Sequence, residues 1–192
     1  MGDKLFSTKV YEVNIYAKTF MQKSSMLAKK NGHSLCIASR QIYSIGGYDG
    51  NASLKDTQKY SIAHNKWVSL PNLQDARNCC ASFALNESAV YTFGGFDENA
   101  KLNSIEKMIV AKSLKWTYVI ITNSLTGRSS AHAIQISGYD VLIFGGYDGK
   151  KDSNESYVIS FKGEGASCRR GSNMTLGSAF YYSSAPVFDG RL

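Results

Sequence analysis

Apolar positions along the chain fall into short runs rich in β-branched and aromatic residues, separated by Gly, Ser, Asn and Asp, which is the pattern of strands joined by tight turns. Between Cys80 and Ile121 four such runs follow one another: Cys80 to Leu85, Ala89 to Gly94, Ser104 to Val110, and Lys115 to Ile121. Turns are predicted at Asn86-Glu87-Ser88 and from Ala111 to Leu114, with a longer loop from Asp97 to Asn103. Four short antiparallel strands in a unit of this size make one propeller blade.

The unit recurs. Ile42-Tyr43-Ser44-Ile45-Gly46-Gly47 returns as Val90-Tyr91-Thr92-Phe93-Gly94-Gly95 and as Val141-Leu142-Ile143-Phe144-Gly145-Gly146, at spacings of 48 and 51 residues. An aromatic and an aspartate follow each diglycine: Tyr48-Asp49, Phe96-Asp97 and Tyr147-Asp148. Trp67 and Trp116 lie 49 apart, and Arg77 and Arg128 lie 51 apart, each arginine 17 residues before the next diglycine. A period of this kind is the signature of a repeat architecture. Units are expected at 31–77, 78–128 and 129–178, with 1–30 the trailing half of an earlier unit and 179–192 the truncated leading half of a later one. Glycine pairs suit a strand end where backbones approach closely, and the tryptophans are expected to fill the space between neighbouring sheets.

Composition supports an all-β reading: the 192 residues include 12 Tyr, 17 Gly and only 2 Pro, a mixture suited to strands and turns. The net charge of +7 raises the question of an anionic partner. Lys29-Lys30, Lys150-Lys151 and Arg169-Arg170 are isolated pairs, not a basic run interleaved with aromatics, so neither nucleic acid nor a membrane is expected as partner. Cys36, Cys79, Cys80 and Cys168 form no CxxC pair and read as small buried side chains in a cytoplasmic, reducing setting. No stretch approaches the length of a membrane span.

Taken together, the diglycine, Tyr48-Asp49-Gly50, Tyr60, Trp67 and Arg77 of the first full unit resemble the kelch repeat. The second unit has Met108 where the tyrosine is expected, and the third keeps Gly145-Gly146-Tyr147-Asp148-Gly149 and Tyr157 but has no Trp. The resemblance covers roughly residues 11 to 192. It implies a kelch-type β-propeller of four-stranded antiparallel blades, here incomplete, because propellers of this family usually close with six or seven blades. A fragment of a longer chain is expected first, with a closed four-blade ring or an oligomer as alternatives, since open strand edges are a pairing liability.

The resemblance also implies a non-enzymatic scaffold or substrate adaptor that binds a protein or acidic peptide through loops on one face. Those loops are Tyr48 to Leu54, Phe96 to Leu102 and Tyr147 to Asn154, with connections around Lys30, Arg77 and Arg128. Tyr48, Asp49, Arg77, Phe96, Arg128, Tyr147 and Asp148 are the candidate contacts, Arg because it binds carboxylates bidentately. The aspartates double as turn formers. Some kelch propellers are metal-dependent or sugar-isomerising enzymes, and others are cytoskeletal scaffolds. Only His33, His64 and His132 are available for His-based chemistry, and neither a metal-binding cluster nor a Gly-x-Ser-x-Gly nucleophile motif is present, so no catalytic residue, metal or cofactor is expected.

Overall fold

The computed structural model describes residues 6–175 apart from Ala111, Ser124 and Glu164. Every regular element among them is a strand. β1 (Val10–Asn14) and β2 (Thr19–Lys23) form a two-stranded antiparallel sheet. β3 (Ser34–Ala38), β4 (Gln41–Ile45), β5 (Thr57–Ser61) and β6 (Lys66–Leu70) form the first four-stranded blade. β7 (Ala81–Leu85), β8 (Ala89–Phe93), β9 (Ile105–Ile109) and β10 (Ser113–Tyr118) form the second. β11 (His132–Gln135), β12 (Asp140–Phe144), β13 (Ser156–Ser160) and β14 (Ser167–Arg170) form the third.

Each blade is a meander in chain order, and β7 packs beside both β3 and β11. The first strands of the blades therefore gather round one axis, in an open segment of an all-β propeller. The unit placed at 179–192 lies outside the described residues. Three strands of the middle blade sit within one residue of their predicted bounds; the fourth starts two residues early and stops three early. A register break between Ser113 and Trp116 displaces it, and Ile121 leaves the sheet to bridge Ala166 of the next blade.

Alternation sets the packing. On β3, Cys36 and Ala38 are buried against the second blade, while Leu35 and Ile37 turn out toward the axis. Between the first two blades Tyr43, Ile45, Leu70 and Leu73 meet Val90, Met108 and Trp116. Trp116 is fully buried and its indole N–H donates to Thr57 Oγ1 of the blade before, at 3.3 Å. Trp67 does the same one blade earlier, donating to the Ser24 carbonyl at 3.0 Å. Each tryptophan thus fills a gap between sheets and ties its polar edge across that gap.

The third blade solves the same problem differently, and it corrects one sequence assignment. The position of Tyr60, paired with Trp67, is held in the second blade by Met108, paired with Trp116. In the third it is held by Ile159, paired with Cys168, and not by Tyr157. Tyr157 lies two residues earlier, with its ring beneath the Arg128 guanidinium. The missing indole volume is supplied by Phe161, whose ring packs 4.7 Å from Tyr91 and 5.7 Å from Phe83.

His33, in the connection that leads into β3, carries a half-buried imidazole whose pKa is lowered to about 4 by desolvation and then by the Lys30 charge. Its protonated form is favoured in the unfolded chain, so stability holds above pH 6.5 and declines as pH falls from about 6.5 to about 4. His33→Gln is expected to flatten that decline by about 2 kcal/mol in urea titrations at the two pH values, a figure discounted for partial solvent access. Identical slopes for the two proteins would discard this assignment.

Candidate functional site

In a meander, alternate turns fall on opposite ends of a sheet. Here the second-to-third strand loops and the blade-to-blade connections share one end. Tyr48, Phe96 and Tyr147 open these loops, immediately after the diglycines, and each is bridged to the preceding connection through Asn31, Asn78 or Ser129. At the first glycine φ is +62°, +67° and +68° in the three blades, a left-handed conformation open to glycine. A Cβ at Gly46 or Gly94 would also collide with the carbonyl of Arg77 or Arg128. The diglycine is thus the slot through which the next connection passes.

The loops hold their own shape. Asp49 Oδ1 accepts the N–H groups of Asn51 and Ala52 at 2.7 and 2.9 Å. Asp97 does so for Asn99 and Ala100, and Asp148 for Lys150 and Lys151. These backbone bonds hold all three carboxyls below the usual aspartate range. The Tyr48 and Tyr147 hydroxyls donate to the Gly50 and Gly149 carbonyls at 3.0 and 2.9 Å, leaving the rings half-buried at the loop bases.

The arginines sit behind this surface. Arg77 is 0% exposed and Arg128 1%. The Arg77 backbone belongs to its own blade, donating to the Leu54 carbonyl and accepting from Gly47 N–H. Its guanidinium reaches the next blade, donating to the Gly94 carbonyl at 2.8 Å and Ser104 Oγ at 3.1 Å, and pairing with Glu106 at 2.6 Å. Glu106, itself fully buried, also accepts the backbone N–H groups of Gln74 and Asp75. Arg128 repeats the arrangement with Gly145, Ser153 and Glu155, and Lys30, 2% exposed, pairs with Asp56 at 2.6 Å. Both arginines are therefore struts between blades, buried beneath the exposed loops with their terminal guanidinium nitrogens engaged, while Arg77 Nε is buried without a hydrogen-bond partner among the described residues.

Sequence reasoning passed over the acids of these pairs, although the signal was present: Asp56, Glu106 and Glu155 stand nine, eleven and nine residues after the second glycine. It also passed over Lys101. This ammonium lies 3.8 Å from the Phe96 ring centroid and 5.5 Å from that of Tyr147, bridging the loops of the second and third blades, a cation–π arrangement. Between the first and second blades Ser53 is the bridge, accepting from Asn78 at 2.7 Å and donating to the Phe96 carbonyl at 3.0 Å. Lys150 and Lys151 project, exposed, from the third loop.

The remaining candidates for chemistry are scattered. His33 is half-buried near Lys30, His64 sits on the β5–β6 turn at the other end, and His132 starts β11 with its ring 5.5 Å from Phe144. All four cysteines are free thiols; Cys36, Cys80 and Cys168 are buried, and burial raises the Cys36 pKa. Among the described residues no three His, Cys, Asp or Glu side chains are grouped to hold a metal. Near the axis, an open groove of about 560 Å³ is lined by residues of β3, β7 and β11, Leu35, Ile37 and Ile134 among them.

The KLHDC2/KLHL20/DRC7 Kelch-repeats domain model matches residues 32–173. Over 68 residues the chain is 31% identical to the Kelch repeat and BTB domain-containing protein 2 of Ectromelia virus (strain Moscow), a stretch covering 35% of this chain and 12% of the viral one. A similar 31% identity over 65 residues, 34% of this chain and 12% of the other, is found with the protein of the same name from Horsepox virus. The fold is similar to the solved structure of YjhT, with a TM-score of 0.77, 13% identity, and coverage of 90% of this chain and 61% of that one. The chain therefore spans about an eighth of the viral relatives.

Arg77→Met would leave Glu106 buried without its cation, and is expected to cost about 3–5 kcal/mol in equilibrium unfolding. Adding Glu106→Gln should restore part of that stability by removing the stranded charge. A single variant as stable as the parent would show that the strut carries no weight.

Proposed function

Because the chain belongs to the kelch-repeat family, whose members are commonly protein-interaction modules, we propose that it acts by non-covalent recognition of a protein partner through the loop end of its blades. The observation that supports this most is the division of labour at that end. Buried cation–acid pairs join the blades beneath, while self-supporting loops project above them with their tips exposed. A rigid frame under exposed loops is the arrangement in which loop side chains are free to specify a partner.

In this reading Tyr48, Phe96 and Tyr147 supply the half-buried aromatic floor, and Asp49 and Asp148 shape the loops. Cationic contacts to an acidic segment come from Lys101, Lys150 and Lys151, because Arg77 and Arg128 are engaged below. Aromatic and cationic side chains around a rigid base suit an extended peptide carrying carboxylates. A kelch-propeller enzyme would need a cluster of catalytic groups, and the scattered histidines do not support that reading. A role as substrate adaptor in the cytoplasm fits the same surface.

The test compares partners captured by the parent with those captured by Phe96→Ala/Tyr147→Ala and by Lys150→Glu/Lys151→Glu. Each double variant is expected to weaken the principal partner by about tenfold or more while leaving the thermal melt unchanged. A third variant, Val68→Ser on the exposed side of β6, should bind as the parent does. Retained binding in both loop variants with loss in Val68→Ser would move recognition to the outer strands and sink the proposal.

A further inference from the structure

Charge is not spread evenly over the blades. The loop-end segments (24–33, 46–56, 71–80, 94–104, 119–131 and 145–155) carry eight cations and eight carboxylates, and the three buried cations among them are ion-paired. The excess positive charge therefore lies elsewhere: on the outer strands and on the opposite rim, where the first-to-second and third-to-fourth strand turns emerge.

On that rim Lys18, Arg40, Lys66, Lys112 and Lys162 are all exposed, and none forms a salt bridge with a described residue. The described carboxylates there are held locally: Glu87 accepts from Ser39 N–H, and Asp140 from Ser137 Oγ at 2.9 Å. Large apolar side chains stand among the cations at the turn tips. Ile15 and Tyr16 are 72% and 92% exposed on the β1–β2 turn, Ile62, Ile136 and Tyr139 are each about half exposed on the turns of the other blades, and Leu114 is similarly exposed near the start of β10. Each sheet thus offers a cation and at least one apolar or aromatic tip on the same rim. These residues are dispersed in sequence, which is why no basic or amphipathic run is visible there, and the meander brings them to one end.

We propose that this rim is a peripheral docking surface for an anionic lipid membrane. The groove that reaches this rim is lined by Glu87 and by no lysine or arginine, which does not suit an acidic peptide, while most of the cations stand on the turns outside it. A flat, deformable, negatively charged interface meets every tip at once, accepting the lysines at the headgroups and the tyrosine and isoleucine side chains just below them. The rim lies at the opposite end from the loops, so membrane contact leaves the partner face open, and the two surfaces are separable by experiment.

The full 192-residue chain is to be sedimented with phosphatidylcholine vesicles and with phosphatidylcholine vesicles containing phosphatidylserine. Binding is expected to the phosphatidylserine vesicles alone and to fall steeply as salt is raised. Lys18→Glu/Lys66→Glu/Lys112→Glu should weaken it by at least tenfold, at about fivefold per lysine near the surface. Tyr16→Ser/Ile62→Ser, which leaves the charge unchanged, should weaken it severalfold. All five positions are exposed, Lys66 at the first residue of β6 and the others in turns, and unchanged melting confirms that the variants are folded. No sedimentation with phosphatidylserine at low salt would overturn the proposal. So would equal vesicle binding by the parent and Tyr16→Ser/Ile62→Ser together with tight binding to polyglutamate, which would assign the rim to an acidic protein. The Phe96→Ala/Tyr147→Ala variant should bind vesicles like the parent, so failure here and failure of the loop-face reading are read independently.

Discussion

The structure depends on one side chain repeated at the seams. At both seams between the full blades an arginine closes one blade with its backbone and reaches the next with its guanidinium: Arg77 accepts from Gly47 N–H on one side and bonds Gly94, Ser104 and Glu106 on the other. Such a residue cannot be satisfied until both blades are in place, because a buried guanidinium without its carbonyl and carboxylate carries a desolvation cost of several kcal/mol. The diglycine is the complementary half of the same constraint, removing the Cβ that would block the passing connection. Seam, slot and loop base are thus one assembly, and the aromatic that follows the glycines takes its position from it.

Most of the fold was legible because its determinants are periodic. Diglycines, aromatic-Asp pairs and tryptophans recur at a nearly fixed spacing, and short strands between turns leave few alternatives to a stack of meanders. What could not be read were the relations between units. Arg77 looked like a surface contact because its acid, Glu106, lies 29 residues away in the next blade, and nothing in a single unit shows that the pair is enclosed. Tyr157 was matched by residue type where the register puts Ile159. The indole missing from the third blade is replaced by Phe161, outside the strands altogether. In each case the volume or charge is conserved at the seam, while the chain position that supplies it shifts.

The candidate site was legible in its loops and illegible in its charges. The aspartates read correctly as turn formers, because an Asx turn is a local event. The division of the molecule into a balanced end and a basic end required knowing which turns share a rim, a property of topology rather than of any segment. Two faces of different character then follow from one meander, since successive turns must alternate between them.

The Asx turns have a consequence for how such a surface can change. In all three loops the bends are fixed by a carboxylate bound to backbone N–H groups, which any residue but proline provides. The side chains at 51–52, 99–100 and 150–151 therefore carry little responsibility for the loop's shape, whereas the first tip position, Gly50, Glu98 or Gly149, takes a positive φ, and Glu98 also accepts from Ser53 N–H of the loop before. Recognition can drift residue by residue at these tips while the scaffold stays the same, so that what the protein binds and how well it folds are inherited as nearly independent traits.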